Sequence, residues 1–263
     1  MNYFQGCTAL ITGASAGIGR EMARQLAPHA HALVLVARRL ERLEALKADL
    51  LREHPQLNVF TYGLDLADEK LTEDFLRWLG ENNLRVDLLI NNAGVGDRGG
   101  FETGDWEKVK RILDVNITAL TKLTHHLLPV LRSFERAAIL NVSSIAGFLP
   151  VPEMAVYAAT KAYVTSFSEA LRAELRGSGV SVTTVCPGPV DTEFGRFAAR
   201  TTPGQMEPPE FFKVPVEQVA QEALAAVAHD RARVVPGLLV AVVMGIVCMV
   251  PMFVLRFFLN RRR

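Results

Sequence analysis

Three side chains in the middle of the chain have the chemistry to move a proton and hold a substrate oxygen: Ser144, Tyr157 and Lys161. Tyr157 and Lys161 are four residues apart, so on a helix they share one face, about one turn from each other. A phenol ionises near pH about 10, and a neighbouring ammonium favours the phenolate. The pairing therefore predicts a tyrosine able to give and take protons closer to neutral pH. Ser144 precedes Tyr157 by thirteen residues and follows the apolar run Ala137–Val142, which predicts a strand ending in a hydroxyl. Such a hydroxyl can reach a substrate oxygen held on the helix side. Ser143 is its neighbouring rival, and the spacing to Tyr157 favours Ser144.

These groups need elements to position them and a reaction partner. The apolar run 7–12 leads into Gly13-Ala14-Ser15-Ala16-Gly17-Ile18-Gly19 and then a helical pattern to about Ala27. In a strand, glycine turn and helix, the glycines let backbone approach a pyrophosphate, and the helix N-terminus meets its charge with unpaired N–H groups. The plainer alternative is an ordinary glycine-rich connection. A second strand, 32–37, ends in Arg38-Arg39, and no acid lies between Val34 and Leu40 to bind a ribose 2′-hydroxyl. An arginine fork there suits a 2′-phosphate, as against two solvated charges at a helix start.

Further along, the pattern predicts a helix over 39–53, a strand over 57–62, a helix over 67–79 and a strand over 86–90 that ends in Asn91-Asn92-Ala93-Gly94. The small residues there would let a cofactor lie over the strand ends, and the amides would tie strands together. One long helix is expected over 105–132, with Asn116, a poor helix former, inside it. A helix over 153–176 stops at Gly177, followed by a strand over 180–186, a helix over 216–228 and a last strand over 233–235. His125 and His126 point about 100° apart on a helix and make no metal pair. Cys7, Cys186 and Cys248 are too far apart for a disulfide framework or a zinc site, so no metal is expected.

Ser144, the pentapeptide YAATK at 157–161, TGASAGIG at 12–19 and NNAG at 91–94 stand in one order and spacing. Over residues 7–235 the chain thereby resembles a short-chain dehydrogenase/reductase. The resemblance implies a doubly wound, Rossmann-type α/β fold: a mostly parallel seven-stranded sheet with helices on both faces. It implies NADP(H), from the basic residue at Arg38, contacted by Gly13, Ser15, Ala16, Gly17, Ile18, Gly19, Asn92, Ala93 and Gly94. It puts Asp65 near the adenine amino group and Leu66 against the ring. Asp65 could instead cap the next helix, but Asp68 is better placed for that, which leaves Asp65 freer for the ligand. It lays Pro187, Gly188 and Val190 against the nicotinamide and gives Thr192 a bond to the carboxamide or phosphates. Tyr157 protonates the carbonyl oxygen that Ser144 holds; Lys161 lowers the tyrosine pKa and grips the ribose. Asn116 kinks its helix and holds a water on the proton path. Dimers or tetramers formed through the two long helices are implied as well. The rival class is a non-catalytic NADP(H)-responsive binding or scaffold protein, which has no use for a Tyr–Lys pair.

At 263 residues one large domain is expected over 1–235, and a net charge of +1 gives no field that attracts nucleic acid. The first residues, MNYFQGCTALITG, have no basic stretch before an apolar core, which predicts a cytoplasmic chain. Residues 191–214, with Phe194, Phe197, Phe211 and Phe212, suit an apolar lid over a hydrophobic, lipid-like carbonyl or alcohol substrate. The tail, 236–263, is apolar and Arg-flanked: Val234–Leu255 carries no charge over 22 residues, about 33 Å of straight helix. It could span a membrane, lie on one, or pack as protein core. Pro236 and Pro251 leave fourteen unbroken residues between them, and arginines flank both ends, which favours peripheral or monotopic attachment to a cytoplasmic membrane face.

Overall fold

The computed structural model describes residues 2–198 and 209–260. Its centre is a sheet of seven parallel strands: β1 (Thr8–Thr12), β2 (Ala32–Ala37), β3 (Asn58–Gly63), β4 (Leu88–Asn91), β5 (Ala137–Val142), β6 (Val180–Val185) and β7 (Arg233–Val234). Their spatial order is β3-β2-β1-β4-β5-β6-β7. β1 and β2 are almost uninterrupted apolar runs because a parallel sheet is covered on both faces. Alternate residues serve opposite cores: Ile11, Leu33 and Ile90 pack in one, Leu10, Val34 and Leu89 in the other.

The first core is closed by α1 (Gly17–Leu26), α2 (Leu40–Glu53) and α8 (Val216–Ala228), through Met22, Leu43 and Leu224 among others. The second is closed by α3 (Glu69–Glu81), α5 (Leu120–Leu131) and α6 (Ala155–Glu174), through Phe75, Leu127 and Leu171. The strand order reverses between β1 and β4, and the crevice at a reversal of this kind, beyond the carboxyl ends of the strands, is where such sheets bind ligands.

Two local expectations change, and the break expected at Pro251 is found. The long helix is not uniform: α4 (Trp106–Leu113) and α5 are joined by a π-helical stretch, Asp114–Ala119, that carries Asn116. The helix expected from residue 67 starts at Glu69. Asp65 first makes a turn that accepts from the Ala67 and Asp68 N–H groups, and Asp68 then caps the helix through the Leu71 N–H at 3.0 Å. The apolar tail divides into α9 (Leu238–Met249) and α10 (Met252–Asn260), because Pro251 forces Val250 into an extended conformation. Among the described residues, no helix is long and apolar enough to cross a membrane.

Of the expected lid, α7 (Glu193–Ala198) and a short turn at Glu210–Phe212 are described. Residues 199–208 and the side chain of Phe197 lie outside the described residues, as do 261–263.

Candidate active site

The ends of β1, β4, β5 and β6 converge on one crevice. At β1, Gly13 and Gly17 have φ of 68° and 55°, a region that glycine enters without steric cost. A Cβ on Gly13 would lie 2.9 Å from the Ala93 Cα, so the turn rests directly on the end of β4. Asn92 holds the two together: its Nδ2 donates to the Thr12 and Gly13 carbonyls at 2.8 and 3.3 Å. The Thr12 hydroxyl oxygen also accepts the N–H groups of Asn92 and Ala93, both at 3.0 Å. Thr12 was not singled out in the sequence as a site residue; its place between strand and glycine turn is the only local signal.

These contacts orient the start of α1. Ala16, its N-cap, has no side-chain acceptor, and the first turn holds no acid, so its N–H groups stay available to an anion. Thr192 lays its methyl group over Gly17, and Ile18 packs against the tail cluster. At the end of β2, Arg38 is exposed, while Arg39 donates to Glu193 at 2.9 Å and to the Ser15 hydroxyl at 3.4 Å. Arg42 pairs with the same Glu193 at 2.8 Å. The donors and open backbone N–H groups fit a phosphate-bearing dinucleotide.

Asp65 is not left at liberty by the Asp68 cap. Arg111 Nη2 bonds both of its carboxylate oxygens at 2.7 Å. Burial works to raise its pKa, but Arg111 and the Ala67 N–H together hold it below the usual carboxylate value. The partner comes from 46 residues away, and no short-range pattern announces it. Leu66 beside it is buried.

At β5, the two serines separate. Ser143 is buried and committed: its hydroxyl donates to the Lys161 carbonyl at 2.8 Å and shares a hydrogen bond with Thr165. Ser144 Oγ accepts from the Ala146 N–H at 3.1 Å and lies 3.5 Å from the Pro187 carbonyl, on the side of the crevice where it acts to lower the Tyr157 pKa. Tyr157 and Lys161 lie on one buried face of α6 with Val164 and Ser168. Lys161 Nζ donates to the Val142 carbonyl at 2.8 Å and sits 5.7 Å from the Tyr157 ring centre.

The electrostatics revise one expectation. Burial pushes the Tyr157 pKa up to about 12, with Ser144 pulling the other way, and burial pushes Lys161 down to about 8. The ammonium is engaged with a carbonyl rather than the phenol oxygen, so desolvation outweighs the expected lowering of the tyrosine.

Asn116 is buried in the π-helical stretch. Its amide donates to the Val95 carbonyl at 2.9 Å and the Thr160 hydroxyl at 3.0 Å and accepts from the Val95 N–H at 2.9 Å. It braces the β4 loop against α6. A Cβ on Gly94 would stand 3.4 Å from Lys161 Nζ and 3.5 Å from Asn116 Oδ1, which places the NNAG motif beside the reacting groups. Gly147, which carried no role in the sequence reading, sets the depth of this packing. A Cβ there would lie 2.6 Å from the Lys161 carbonyl carbon. Pro187 accepts from the Ile145 N–H at 3.1 Å, and Gly188 and Val190 face the tail.

The family model described as short chain dehydrogenase matches residues 7–202. The chain belongs to the short-chain dehydrogenase/reductase family. It is 43% identical over 189 residues to a sulfoacetaldehyde reductase of Chromohalobacter salexigens, covering 70% of this chain and 72% of that protein. It is 31% identical over 219 residues to a human very-long-chain 3-oxoacyl-CoA reductase, covering 82% of this chain and 69% of that one. Among solved structures, it resembles a short-chain dehydrogenase from Sphingobium yanoikuyae in complex with NADPH, at 33% identity and TM-score 0.80, over 98% of this chain and 96% of that one. As a short-chain dehydrogenase/reductase, this chain is an oxidoreductase of CH–OH groups and their carbonyls that uses a nicotinamide cofactor.

Proposed function

We propose that this oxidoreductase is NADP(H)-dependent, that it acts on a hydrophobic, lipid-like carbonyl or alcohol, and that Tyr157 transfers the proton. The observation that carries this reading is Tyr157 and Lys161 buried on one face of α6, beside the end of β5 that carries Ser144, with Lys161 Nζ on the Val142 carbonyl. The bound nicotinamide would supply or accept the hydride. For reduction, Tyr157 starts as the neutral phenol that its surroundings favour and gives its proton to the substrate oxygen. Ser144 holds that oxygen and stabilises the charge it develops. Lys161, with a pKa of about 8, is charged at neutral pH and sets the field behind the phenol. Its remaining donors are available for ribose hydroxyls. Both amide protons of Asn116 are committed, so it serves as a brace, and a water relay past Lys161 would run along its main chain.

Cofactor residues are assigned on the same footing. The α1 N-terminus takes the pyrophosphate, Leu66 and Asp65 flank the adenine, and Pro187, Gly188, Val190 and Thr192 border the nicotinamide side. Arg38, with Arg39 beside it, takes the 2′-phosphate. Arg38→Ala should weaken NADPH by about tenfold or more, as the loss of a charge-assisted bond of about 1.5–3 kcal/mol implies, and leave NADH nearly unchanged. Fluorescence titration with both cofactors measures this, and equal losses would remove the basis for NADP(H).

An apolar substrate is supported by Ile145, Phe148, Val190, Phe212, Val240 and Met244, which form one apolar cluster next to Ser144 and Gly188. The acyl-CoA reductase named above supports the same class. A panel of aldehydes and ketones of rising chain length, followed by NADPH absorbance, tests it; rates that fall steadily with chain length would contradict it. Exposed Trp106 and Leu113 favour a homodimer or homotetramer through α4, α5 and α6. We place the protein in the cytoplasm with its tail against a membrane face. The intact Ser–Tyr–Lys cluster disfavours a purely binding or scaffold role.

The two serines separate in a prediction. Ser144→Ala should cut kcat by about 10²-fold, as loss of one donor to a developing oxyanion does, with little change in Tm. Ser143→Ala should lower stability by about 1–3 kcal/mol through its orphaned buried partners, with kcat less affected. Thermal melts and steady-state rates on both variants check this split.

A further inference from the structure

Helix α9 is apolar on two opposite stripes, and each meets something different. Val240 and Met244, one turn apart, are 2% and 7% exposed. They pack with Ile18, Ile145, Phe148, Val190 and Phe212. Ile145 adjoins Ser144, and a Cβ on Gly188 would stand 3.0 Å from Val240 Cγ1. The inner stripe is therefore a wall behind the serine and the nicotinamide-side turn. Gly237, at φ 83°, makes the turn that delivers α9 there, and its N–H is held by Glu222.

Among the described residues, the outer stripe is open to solvent. Leu238, Val242, Ile246 and Met249 recur at helical spacing, and Leu238 and Met249 are 80% and 76% exposed. α10 adds the exposed apolar side chains Met252 and Phe253, the latter 72% exposed. From Arg231 to Arg263 the chain has six arginines and no Asp or Glu. At 12 and 9 residues, the helices reach about 18 and 14 Å, short of the roughly 30 Å hydrocarbon core, so they suit lying in a surface rather than crossing it. Arg256, exposed on α10, and the arginines that follow it in sequence complement an anionic lipid surface beside this apolar face. A two-fold contact with a second copy through this face would bring the two Arg256 side chains into one interface.

We propose that α9 is a wall shared between the reaction site and an anionic lipid surface. Its outer face and α10 lie in the lipid, and its inner face shapes the substrate site. A long-chain carbonyl or alcohol then reaches Tyr157 from the bilayer rather than from bulk water. This rests on the reductase reading above.

The test uses the full chain with vesicles of phosphatidylcholine alone or mixed with phosphatidylglycerol. It scores sedimentation and NADPH-dependent reduction of hexadecanal and butanal. The wild type should sediment with the anionic vesicles and be released by salt. Those vesicles should raise hexadecanal turnover several-fold and leave butanal turnover unchanged. Ile246→Asp with Phe253→Asp should lose vesicle binding by about tenfold or more and lose the hexadecanal gain, with butanal turnover retained as the sign of intact folding. Arg256→Glu should weaken binding to the anionic vesicles alone.

Wild type that stays in the supernatant while reducing butanal overturns the lipid face and leaves the reductase reading intact. Sedimentation without a hexadecanal gain overturns the shared wall. A dimer that the double variant dissociates, with no vesicle binding, assigns the face to a second copy and overturns the proposal. Sedimentation with neither aldehyde reduced overturns the reductase reading and the substrate route together.

Discussion

Tyr157→Phe should fold, bind NADPH and reduce carbonyls about 10²–10⁴-fold more slowly than the wild type, the range that one positioned general acid contributes. The substitution keeps the ring that packs against Phe194, with centroids 5.6 Å apart, and removes the hydroxyl alone. Ser144 retains the Ala146 N–H and the Pro187 carbonyl as neighbours, so stability should change by no more than about 1 kcal/mol. The loss should therefore fall on kcat with NADPH affinity nearly constant. NADPH absorbance for turnover and fluorescence titration for binding measure the two separately. A rate within a few-fold of wild type would mean that another group supplies the proton.

Gly147→Ala should damage both stability and rate. The new Cβ would lie 2.6 Å from the Lys161 carbonyl carbon and 2.8 Å from both the Ala162 nitrogen and the Lys161 oxygen. All three are main-chain atoms of α6, so relief requires the Ser144 segment to back away from Tyr157 and Lys161. Overpacking of this kind costs about 1–3 kcal/mol, and a displacement near 1 Å costs about 10²-fold in rate. A lowered Tm together with a kcat loss larger than the change in KM for NADPH is expected. An unchanged kcat would show that the depth of this contact does not set the serine's position.

What could be read before the fold was known follows from the range of each interaction. The strands and the α6 pair were legible because apolar runs and the i, i+4 spacing of Tyr157 and Lys161 are local patterns. Asn116 was legible as an anomaly, a poor helix former in mid-helix, and it sits in a π-helical stretch. Its bonds to Val95 and Thr160 were not legible, since both partners are set by packing. The pairing of Asp65 with Arg111 was hidden for the same reason. The tyrosine pKa was misjudged because spacing reports that a lysine is near, while the shift depends on burial and on where the ammonium points. The tail was ambiguous because a helix apolar all round has no preferred face in sequence. Gly188 and Val190 supply the partner that selects Val240 and Met244.

The most direct test of a phenolic proton governed by Lys161 is the pH profile of carbonyl reduction by wild type and Lys161→Arg. Tyr157, pushed up to about 12, stays protonated across the accessible range, whereas the ammonium, at about 8, loses its charge as pH rises through that value. Wild-type kcat should therefore be level at neutral pH and fall with a midpoint near 8. In Lys161→Arg, whose charge does not titrate, a lower plateau should persist through that range. A wild-type rate that climbs through the same range, or a falling limb unchanged in the arginine variant, would contradict the account.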